Sequence, residues 1–560
     1  MTTDFKSIFE SKYTWVEGFM RNVRRYGKRL AMIMPDEQVS FANGKGRERT
    51  WTYAQLNQDA NRLCNALVDD GVSKGDVVML QMLNCPEFAF AYVAVHKTHS
   101  VCCPVSFRLS PGEMAFNIDD SKPKVIICCP SKVDSVMEAI AIAEYKPKRV
   151  VVTGNADIEQ VEGAVTEITS YADYAGQTST DEPAFTCEYN IYDETTRLYT
   201  SGTTGKPKAV SLTSINEVLS AHDVMIHFPM SYMDVTMNTT PWFHRGGLHC
   251  AGPGPAFYAG STIVVMGKFD PITALRYVYR YKITFLIGVP TVLENLADEQ
   301  ERQGYDLTSL KGIVTMGSPL ERGACIRYQK VLTPNIFNGY GTTETFWNTF
   351  LRPFDLPDNA GTAGASCIDD DVRVVKVYDD HRAEPDDLVE TDSTEVGEVI
   401  ICSPAKSPYI YYGNEAETEK KYYKGFIYTN DLATWDENQF ITIIGRKDDM
   451  IISSGENIYP TEVEAVLNVH SKVKDCIVTS VPDKIRGQVV TAYVVKDDES
   501  LTAEELDDYC KKSPDIANFK RPRYYRFTQQ IPFNATGKKL HVKIKETAAR
   551  DLKNGLLYRV

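Results

Sequence analysis

The chain has 560 residues, which is too long for one ordinary domain and predicts two to four units with buried cores. Hydrophobic residues make up 43% and charged residues 24% of the sequence, proportions typical of a soluble globular protein. The formal net charge of −14 argues against binding to duplex DNA, so we expect no nucleic-acid partner. A small anionic substrate is not excluded, because the charge of a site is independent of the net charge.

Targeting and membrane signals are not found in the sequence. The opening stretch MTTDFKSIFESKYTW lacks the apolar core of a signal peptide. No run of about 18 apolar residues occurs, so no transmembrane segment is predicted. The thirteen cysteines contain no Cys-x-x-Cys pair, and Cys102–Cys103 and Cys128–Cys129 lie in apolar, strand-like runs. We therefore expect buried free thiols and a cytoplasmic protein.

Short β-branched runs alternate with helical patterns through the first 320 residues, which predicts an α/β fold with helices packed on largely parallel sheets. The predicted strands lie at 76–80, 124–129, 149–153, 260–266, 283–290 and 310–317, and the predicted helices at 53–70 and 86–97.

The region 371–444 is richer in short strands and turns, which indicates a β-rich subdomain. The charged, glycine-containing segment GRKDD at 445–449 is typical of a joint between domains. We place a boundary near Asp448, which gives a large domain at 1–447 and a small α+β domain at 448–560. The small domain has about 110 residues, an ordinary domain size.

The stretch LYTSGTTGKPKAV at 198–210 combines hydroxyls, glycines and lysines, the groups that hold phosphates. It is not a Walker loop, because the spacing from Gly202 to Gly205 is too short and Pro207 stands where the metal-binding hydroxyl is needed. Both flanks have strand patterns, so we predict a strand–loop–strand phosphate clasp, with a solvated surface turn as the alternative. The candidate residues are Thr200, Ser201, Gly202, Thr203, Thr204, Gly205, Lys206 and Lys208.

The string Ser-Gly-Thr-Thr-Gly-x-Pro-Lys at 201–208 resembles the signature of the adenylate-forming superfamily, which contains acyl-CoA synthetases, peptide-synthetase adenylation domains and beetle luciferases. Further motifs resemble those of the same superfamily and follow in the same order. They are NGYGTTET at 338–345, YTND at 428–431, GRKDD at 445–449, SSGENIYP at 453–460 and PFNATGKKL at 532–540. The resemblance implies a large AMP-binding domain and a small mobile C-terminal domain.

By this resemblance, Tyr340 stacks on adenine, Thr343 contacts phosphate and Glu344 binds Mg²⁺, a role that suits a hard carboxylate ligand. His244, in PWFHRGGLH, resembles the histidine that lines the carboxylate channel, with a packed core histidine as the alternative. The remaining nucleotide-contact residues implied for the large domain are Gly317, Ser318, Pro319, Asn338, Gly339, Gly341 and Thr342.

The resemblance gives the C-terminal motifs different roles. Asp431 binds the ribose hydroxyls, Arg446 binds ribose or phosphate, and Asp448 is the hinge. Asn430 replaces a family glycine, and asparagine tolerates left-handed backbone. Ile443 is a further nucleotide contact.

The last two motifs are implied to serve two separate steps, the formation of the acyl-adenylate and the attack of the thiol on it. Lys538 is implied to be the catalytic lysine of adenylation. Gly455, Glu456 and Asn457 form the face that replaces it when the thiol attacks, and Ser454 stands where relatives often have glycine.

These residues predict an ATP-dependent, AMP-forming carboxylic acid:CoA ligase with ATP, CoA, Mg²⁺ and a small carboxylic acid as its partners. Met316 replaces a family glycine and shortens the acyl pocket, while Gly341 replaces the tryptophan of acetate-specific relatives, so we expect a compact medium-chain, alicyclic or aromatic acid. A free-standing enzyme that loads a carrier protein and a non-catalytic nucleotide-binding relative are the alternatives. A homodimer is left open.

Overall fold

The computed structural model describes residues 4–36, 47–154, 165–184, 187–200, 207–378, 380–454, 456–533 and 539–560. The chain divides into two compact units. The first comprises Met1–Asp371 and Cys402–Gly425, and the second comprises Val372–Ile401 and Phe426–Val560.

The helices of the described residues are numbered in chain order. They are α1 Phe5–Lys12, α2 Trp15–Tyr26, α3 Tyr53–Asp69, α4 Pro86–Lys97, α5 Pro111–Ser121, α6 Val133–Ile142, α7 Tyr171–Ala175, α8 Ser214–His227, α9 Arg245–His249, α10 Pro253–Ala259, α11 Pro271–Tyr281, α12 Pro290–Gln303, α13 Arg322–Val331, α14 Glu415–Lys421, α15 Pro460–Asn468, α16 Ala503–Lys512 and α17 His541–Lys553. Among them, none has both the length and the apolar composition needed to cross a bilayer.

The strands are numbered in the same way. They are β1 Leu30–Met34, β2 Arg49–Thr52, β3 Val77–Gln81, β4 Val101–Pro104, β5 Val125–Cys128, β6 Arg149–Val152, β7 Glu167–Ser170, β8 Glu194–Thr200, β9 Lys208–Thr213, β10 Val235–Asn238, β11 Thr262–Val264, β12 Phe285–Gly288, β13 Gly312–Met316, β14 Ile336–Thr342, β15 Phe346–Leu351, β16 Ala365–Ser366, β17 Asp371–Val375, β18 Gly397–Cys402, β19 Tyr422–Tyr423, β20 Phe426–Trp435, β21 Ile441–Arg446, β22 Ile451–Ser453, β23 Glu456–Ile458, β24 Val473–Asp483, β25 Gly487–Lys496, β26 Tyr524–Phe527 and β27 Tyr558–Arg559.

Two large sheets form the frame of the first unit. One has the order β7-β6-β5-β3-β4-β8-β9 and is parallel except for the antiparallel pair β8–β9. The other has the order β16-β15-β14-β13-β12-β10-β11-β1-β2, with a parallel centre and antiparallel strands at both edges. The prediction of helix-covered, largely parallel sheets is confirmed.

Local sequence explains where the helices of the first unit begin. Thr52 and Ser110 precede α3 and α5, and each forms a reciprocal capping box with the residue three positions on. Helix α4 begins at Pro86, a residue suited to the first helical position. Because α4 is apolar around most of its circumference, it is buried over almost its whole length.

The second unit is rich in antiparallel strands. Strands β18, β20 and β21 pair antiparallel, and β24 and β25 form a long antiparallel pair on which α15 and α17 pack. The predicted β-rich region is thus present. In the division by contacts, residues 372–401 and 426–447 group with the C-terminal segment, and the boundary near Asp448 stays a prediction.

The thirteen cysteines are all free and most are buried, as predicted. Burial raises the pKa of several thiols, among them Cys64 to about 12. These thiols therefore stay protonated at neutral pH.

Candidate active site

The predicted phosphate clasp lies between two paired strands. Strand β8 ends at Thr200 and β9 begins at Lys208, and these two residues face each other in the antiparallel register. The strand–loop–strand prediction is therefore confirmed at both flanks. The loop residues Ser201, Gly202, Thr203, Thr204, Gly205 and Lys206 lie outside the described residues.

Lys208 is held by α14 and by the segment that leads into it. Its ammonium forms an ion pair with the Glu417 carboxylate and lies 5.4 Å from the centroid of the Tyr411 ring. The backbone N–H of Tyr412 donates to the carbonyl of Ala209 at 2.8 Å, which fixes the same segment to β9. The C-terminal flank of the clasp thus carries a positioned cation.

Glu344, the predicted Mg²⁺ ligand, is buried in the turn between β14 and β15. The Tyr411 hydroxyl donates to its Oε1. Burial alone would raise the pKa of Glu344, but the charge of Lys421 and hydrogen bonds from Tyr411 and Thr342 outweigh it and lower the pKa. The carboxylate is therefore ionised at neutral pH and is a hard oxygen ligand suited to Mg²⁺.

Arg245 places a buried positive charge behind this turn. Its guanidinium donates to the carbonyl of Thr343 at 2.6 Å and to the carbonyl of Lys406 at 2.6 Å. Burial lowers the pKa of Arg245 to about 10, so the group stays charged at neutral pH. Arg245 thus fixes the backbone of the residue that precedes Glu344.

His244 lies at the residue before α9, and its side chain is neutral. Burial, with a contribution from the charge of Arg108, lowers the pKa of His244 to about 4. The Nε2 atom is buried and has no hydrogen-bond partner within the described part of the chain. The Phe243 ring centroid lies 4.2 Å from the imidazole. A neutral imidazole with one unused nitrogen is suited to contact a bound carboxylate.

Met316 and the His244 segment are neighbours in space. A Cβ built on Gly246 would lie 2.9 Å from the Met316 sulfur, so this methionine fills the space beside α9. Met316 therefore lies beside the segment assigned to the acid, and its effect on the size of the acyl pocket stays a prediction.

The interpretation of Gly341 needs a correction. A Cβ at Gly341 would lie 1.7 Å from the carbonyl oxygen of Phe346 and 2.5 Å from the Cα of Trp347. The close approach of β15 therefore requires glycine at this position whatever the substrate is. Gly341 gives no independent evidence on the size of the acid.

The implied nucleotide residues of the first unit lie at the carboxyl ends of two neighbouring strands of its nine-stranded sheet. Parallel β13 and β14 pair Thr315 with Asn338 and Met316 with Gly339. Gly317 follows with a φ of 86°, a left-handed conformation that favours glycine. The structure therefore brings the two segments that carry these residues together at the carboxyl ends of parallel strands, where α/β sheets bind ligands. The segments contain Gly317, Ser318 and Pro319, and Asn338, Gly339, Tyr340, Gly341, Thr342 and Thr343.

In the second unit, Asp431 and Arg446 face each other across β20 and β21. The Arg446 guanidinium donates to Asp431 Oδ1 at 3.0 Å. Asn430 has a φ of 65°, so it adopts the left-handed conformation expected at this position. Its side-chain amide lies 3.3 Å from Asp448 Oδ2. Ile443 lies on β21, opposite Ala433 and three residues before Arg446.

The thiol-face motif begins with a left-handed residue. Ser454 has a φ of 55°, the conformation that a glycine adopts easily. Glu456 and Asn457 follow on β23, and both are exposed. Gly455 and Lys538 lie outside the described residues.

Four residues that the sequence did not single out act on predicted site residues by hydrogen bonds, an ion pair or charge. Tyr411 and Lys421 act on Glu344, Glu417 on Lys208, and Arg245 on Thr343. Their partners lie tens to hundreds of positions away, so no local pattern indicates the contacts.

Comparison with known proteins shows the family to which the chain belongs. The family model described as "AMP-binding enzyme" matches residues 19–408, and the model for the "AMP-binding enzyme C-terminal domain" matches residues 462–538. A curated relative, the long-chain-fatty-acid–CoA ligase FadD13 of Mycobacterium tuberculosis, is 30% identical over 499 residues, with 88% of this chain and 92% of the relative covered.

Two solved structures have the same fold. The anthranilate CoA ligase AuaEII in complex with anthranoyl-AMP has a TM-score of 0.83 at 23% identity, with 97% of this chain and 98% of that chain covered. The o-succinylbenzoate CoA synthetase of Bacillus subtilis in complex with its acyl-adenylate has a TM-score of 0.79 at 26% identity, with 94% and 97% covered. The chain therefore belongs to the AMP-binding enzyme family, and it is an AMP-forming acid–CoA ligase that uses ATP and CoA as substrates.

Proposed function

We propose that this ligase joins a compact medium-chain, alicyclic or aromatic acid to CoA through an acyl-adenylate. The observation that supports a compact acid is the close approach of the Met316 sulfur to Gly246, which lies two residues after His244. The Met316 side chain takes up space on the side of the segment assigned to the acid. The relatives reported above are named for a long-chain fatty acid, anthranilate and o-succinylbenzoate, so their names do not decide the acid of this chain.

In the first half-reaction the carboxylate of the acid attacks the α-phosphorus of ATP and pyrophosphate leaves. The acid is already ionised, so no general base is needed, but two anions must meet. In our proposal the clasp from Thr200 to Lys208 binds the β- and γ-phosphates through backbone N–H groups, hydroxyls and charge. Neutral His244 contacts the acid without adding a charge of its own.

Glu344 is the proposed Mg²⁺ ligand, since its carboxylate is ionised and held in place by Tyr411. Mg²⁺ held there would supply positive charge that offsets the negative charge of the phosphates. Arg245 keeps the preceding peptide of Thr343 fixed, so that Glu344 and the phosphate contact of Thr343 share one rigid turn. Tyr340 is the proposed adenine contact on the strand that leads into this turn, and Asp431 and Arg446 are the proposed ribose contacts.

Lys538 is the proposed catalytic lysine of this half-reaction. The sequence Gly-Lys-Lys offers two lysines, Lys538 and Lys539. The ammonium of Lys539 is engaged by two carboxylates of the second unit, which favours Lys538 for the role at the reacting groups.

For the second half-reaction we propose that the domain from Asp448 onward turns and that the Gly455–Glu456–Asn457 face takes over when the CoA thiol attacks. Asp448 lies in a short 3-10 turn between β21 and β22, where a change of a few backbone angles can redirect the chain. The free, mostly buried thiols support a reducing, cytoplasmic location. A homodimer stays a prediction.

One assay tests the proposal. Pyrophosphate release is measured with acetate, butanoate, hexanoate, octanoate, palmitate, cyclohexanecarboxylate, benzoate and anthranilate, each with and without CoA. We expect the highest kcat/KM for an acid between butanoate and octanoate in size or for one of the cyclic acids, with AMP and thioester released in equal amounts when CoA is present. Preference for palmitate or acetate would contradict the proposed acid class, and release of AMP without thioester would contradict CoA as the acceptor.

A further inference from the structure

Lys539 is bound by three groups of the second unit. Its ammonium lies 2.9 Å from Asp475 Oδ1 and 3.4 Å from Glu464 Oε2, and it donates to the carbonyl oxygen of Cys476 at 2.5 Å. The side chain is only 20% exposed, unlike a lysine on an ordinary surface tail. The Lys539 side chain therefore attaches the start of the C-terminal tail to the second unit.

Glu464 is the centre of this attachment. It lies on α15, and its side chain is 8% exposed. Its Oε1 accepts a hydrogen bond from the backbone N–H of Val478 at 2.8 Å and lies 2.9 Å from His541 Nε2. One buried carboxylate thus holds β24 and two residues of the tail, Lys539 and His541.

The backbone on either side of residues 534–538 is paired next to the Lys539 contacts. Phe533 and Lys539 form an antiparallel bridge, and the N–H of Leu540 donates to the carbonyl of Pro532 at 2.9 Å. Residues 532–533 and 539–540 are therefore held against each other, and Lys539 is the first described residue after Lys538 in the sequence.

We propose that Lys539 is a positioning residue for adenylate formation, because its contacts with Glu464 and Asp475 fix the chain at the residue that directly follows Lys538. The inference rests on the proposed role of Lys538. It adds that the second lysine of the Gly-Lys-Lys motif acts through its neighbour and does not touch the reacting groups.

The charge of Lys539 agrees with an anchoring role. Burial alone would lower the pKa of Lys539, but Glu464 and Asp475 outweigh it and raise the pKa. The group is therefore a permanent ammonium at neutral pH, and a neutral side chain in its place would leave the buried Glu464 with one cation fewer.

The test separates the two half-reactions in the full-length enzyme, using the acid with the highest kcat/KM in the panel above. Adenylation is measured as hydroxamate formation with hydroxylamine and no CoA, and thioester formation is measured from supplied acyl-adenylate and CoA. We expect Lys539→Met to slow adenylation by about 10- to 100-fold, since small misplacement of a catalytic group has effects of this size. Thioester formation should stay within about threefold of wild type, and Lys539→Arg should restore most of the adenylation rate.

Two controls make the result decisive. Lys545→Met changes an exposed lysine of α17 and should leave both rates unchanged. Lys538→Ala reports on the proposed function: normal adenylation in that variant would overturn the role of Lys538 itself.

If Lys538→Ala abolishes adenylation while Lys539→Met retains it, or if Lys539→Met slows both half-reactions equally, the positioning role is wrong. Should Lys539→Met not fold, Asp475→Asn removes one carboxylate at a partly exposed position and must give the same split.

Discussion

The groups proposed to bind the triphosphate and those proposed for ribose and thiol are held in different ways. In the first unit, Lys208 and Glu344 are fixed by Glu417 and Tyr411, residues that lie far away in the sequence, and Glu344 is buried. In the second unit, Asp431 is also buried but pairs with its cross-strand neighbour Arg446, whereas the thiol-face residues Glu456 and Asn457 are exposed.

This difference indicates a division of labour. Buried charges with fixed partners form a preorganised electrostatic site that does not need to rearrange during the reaction. Exposed groups on short strands can meet a substrate in one half-reaction and solvent in the other. We therefore expect substitutions in the first unit to act on adenylation and on the choice of acid, and substitutions in the C-terminal motifs to separate the two half-reactions.

The largest effect is expected for Lys538→Ala. Loss of the ammonium should slow adenylation by about 1,000-fold, since it removes a charge that meets developing negative charge in the transition state. Thioester formation from supplied acyl-adenylate should be nearly unchanged. The two rates are measured separately by hydroxamate and thioester assays, with Lys545→Ala as the control. Equal loss of both rates would contradict the expectation that substitutions in the C-terminal motifs separate the two half-reactions.

Glu344→Gln should have the next largest effect. The amide keeps the shape of the side chain but removes its charge, so adenylation should slow by about 100-fold and the Mg²⁺ concentration for half-maximal rate should rise. A Mg²⁺ titration of pyrophosphate release measures both. Glu419→Gln, an exposed acid on α14, is the matched control. An unchanged Mg²⁺ titration curve would show that the buried carboxylate of the first unit does not bind the metal.

Much of the fold could be predicted from the sequence because its signals are local. The strands that flank the phosphate clasp were predicted from the strand-like stretches RLYT and AVSL, and helix α4 was predicted with its observed bounds. The left-handed conformation of Asn430 agrees with the reasoning that asparagine can replace a glycine there.

The contacts that organise the site could not be predicted in this way. Tyr411 and Glu344 are separated by 67 positions, and Arg245 and Thr343 by 98. Gly341 illustrates the opposite error: a comparison of residue types linked it to the substrate, whereas the backbone of Phe346 explains it. Steric and electrostatic partners of this kind become visible only when the chain is folded.

Met316→Gly should change the choice of acid with a smaller effect on rate. Removing the side chain beside Gly246 should raise kcat/KM for longer or bulkier acids relative to the preferred acid by about 10-fold, the lower end of the discrimination that one methylene provides. Met316→Leu keeps the volume and should keep the preference. The acid panel measures both variants. An unchanged ranking in Met316→Gly would mean that this fixed wall of the first unit does not limit the acid.

The smallest effect is expected in the pH dependence of stability. Burial holds the pKa of His244 at about 4, below its ordinary value of about 6.5, so the unfolded chain binds the proton more readily than the folded chain between these values. The stability from neutral His244 is complete above about pH 6.5 and is lost as the pH falls toward 4. In His244→Gln, the fall in Tm from pH 7 to pH 5 should therefore be smaller than in wild type, by about 2 °C. Gln303→Asn, which changes an exposed side chain that does not titrate, should keep the wild-type slope. If His244→Gln also keeps the wild-type slope, the imidazole titrates as it does in solvent. The contrast between the buried charges of the first unit and the exposed thiol-face residues Glu456 and Asn457 then does not extend to the residue assigned to the acid.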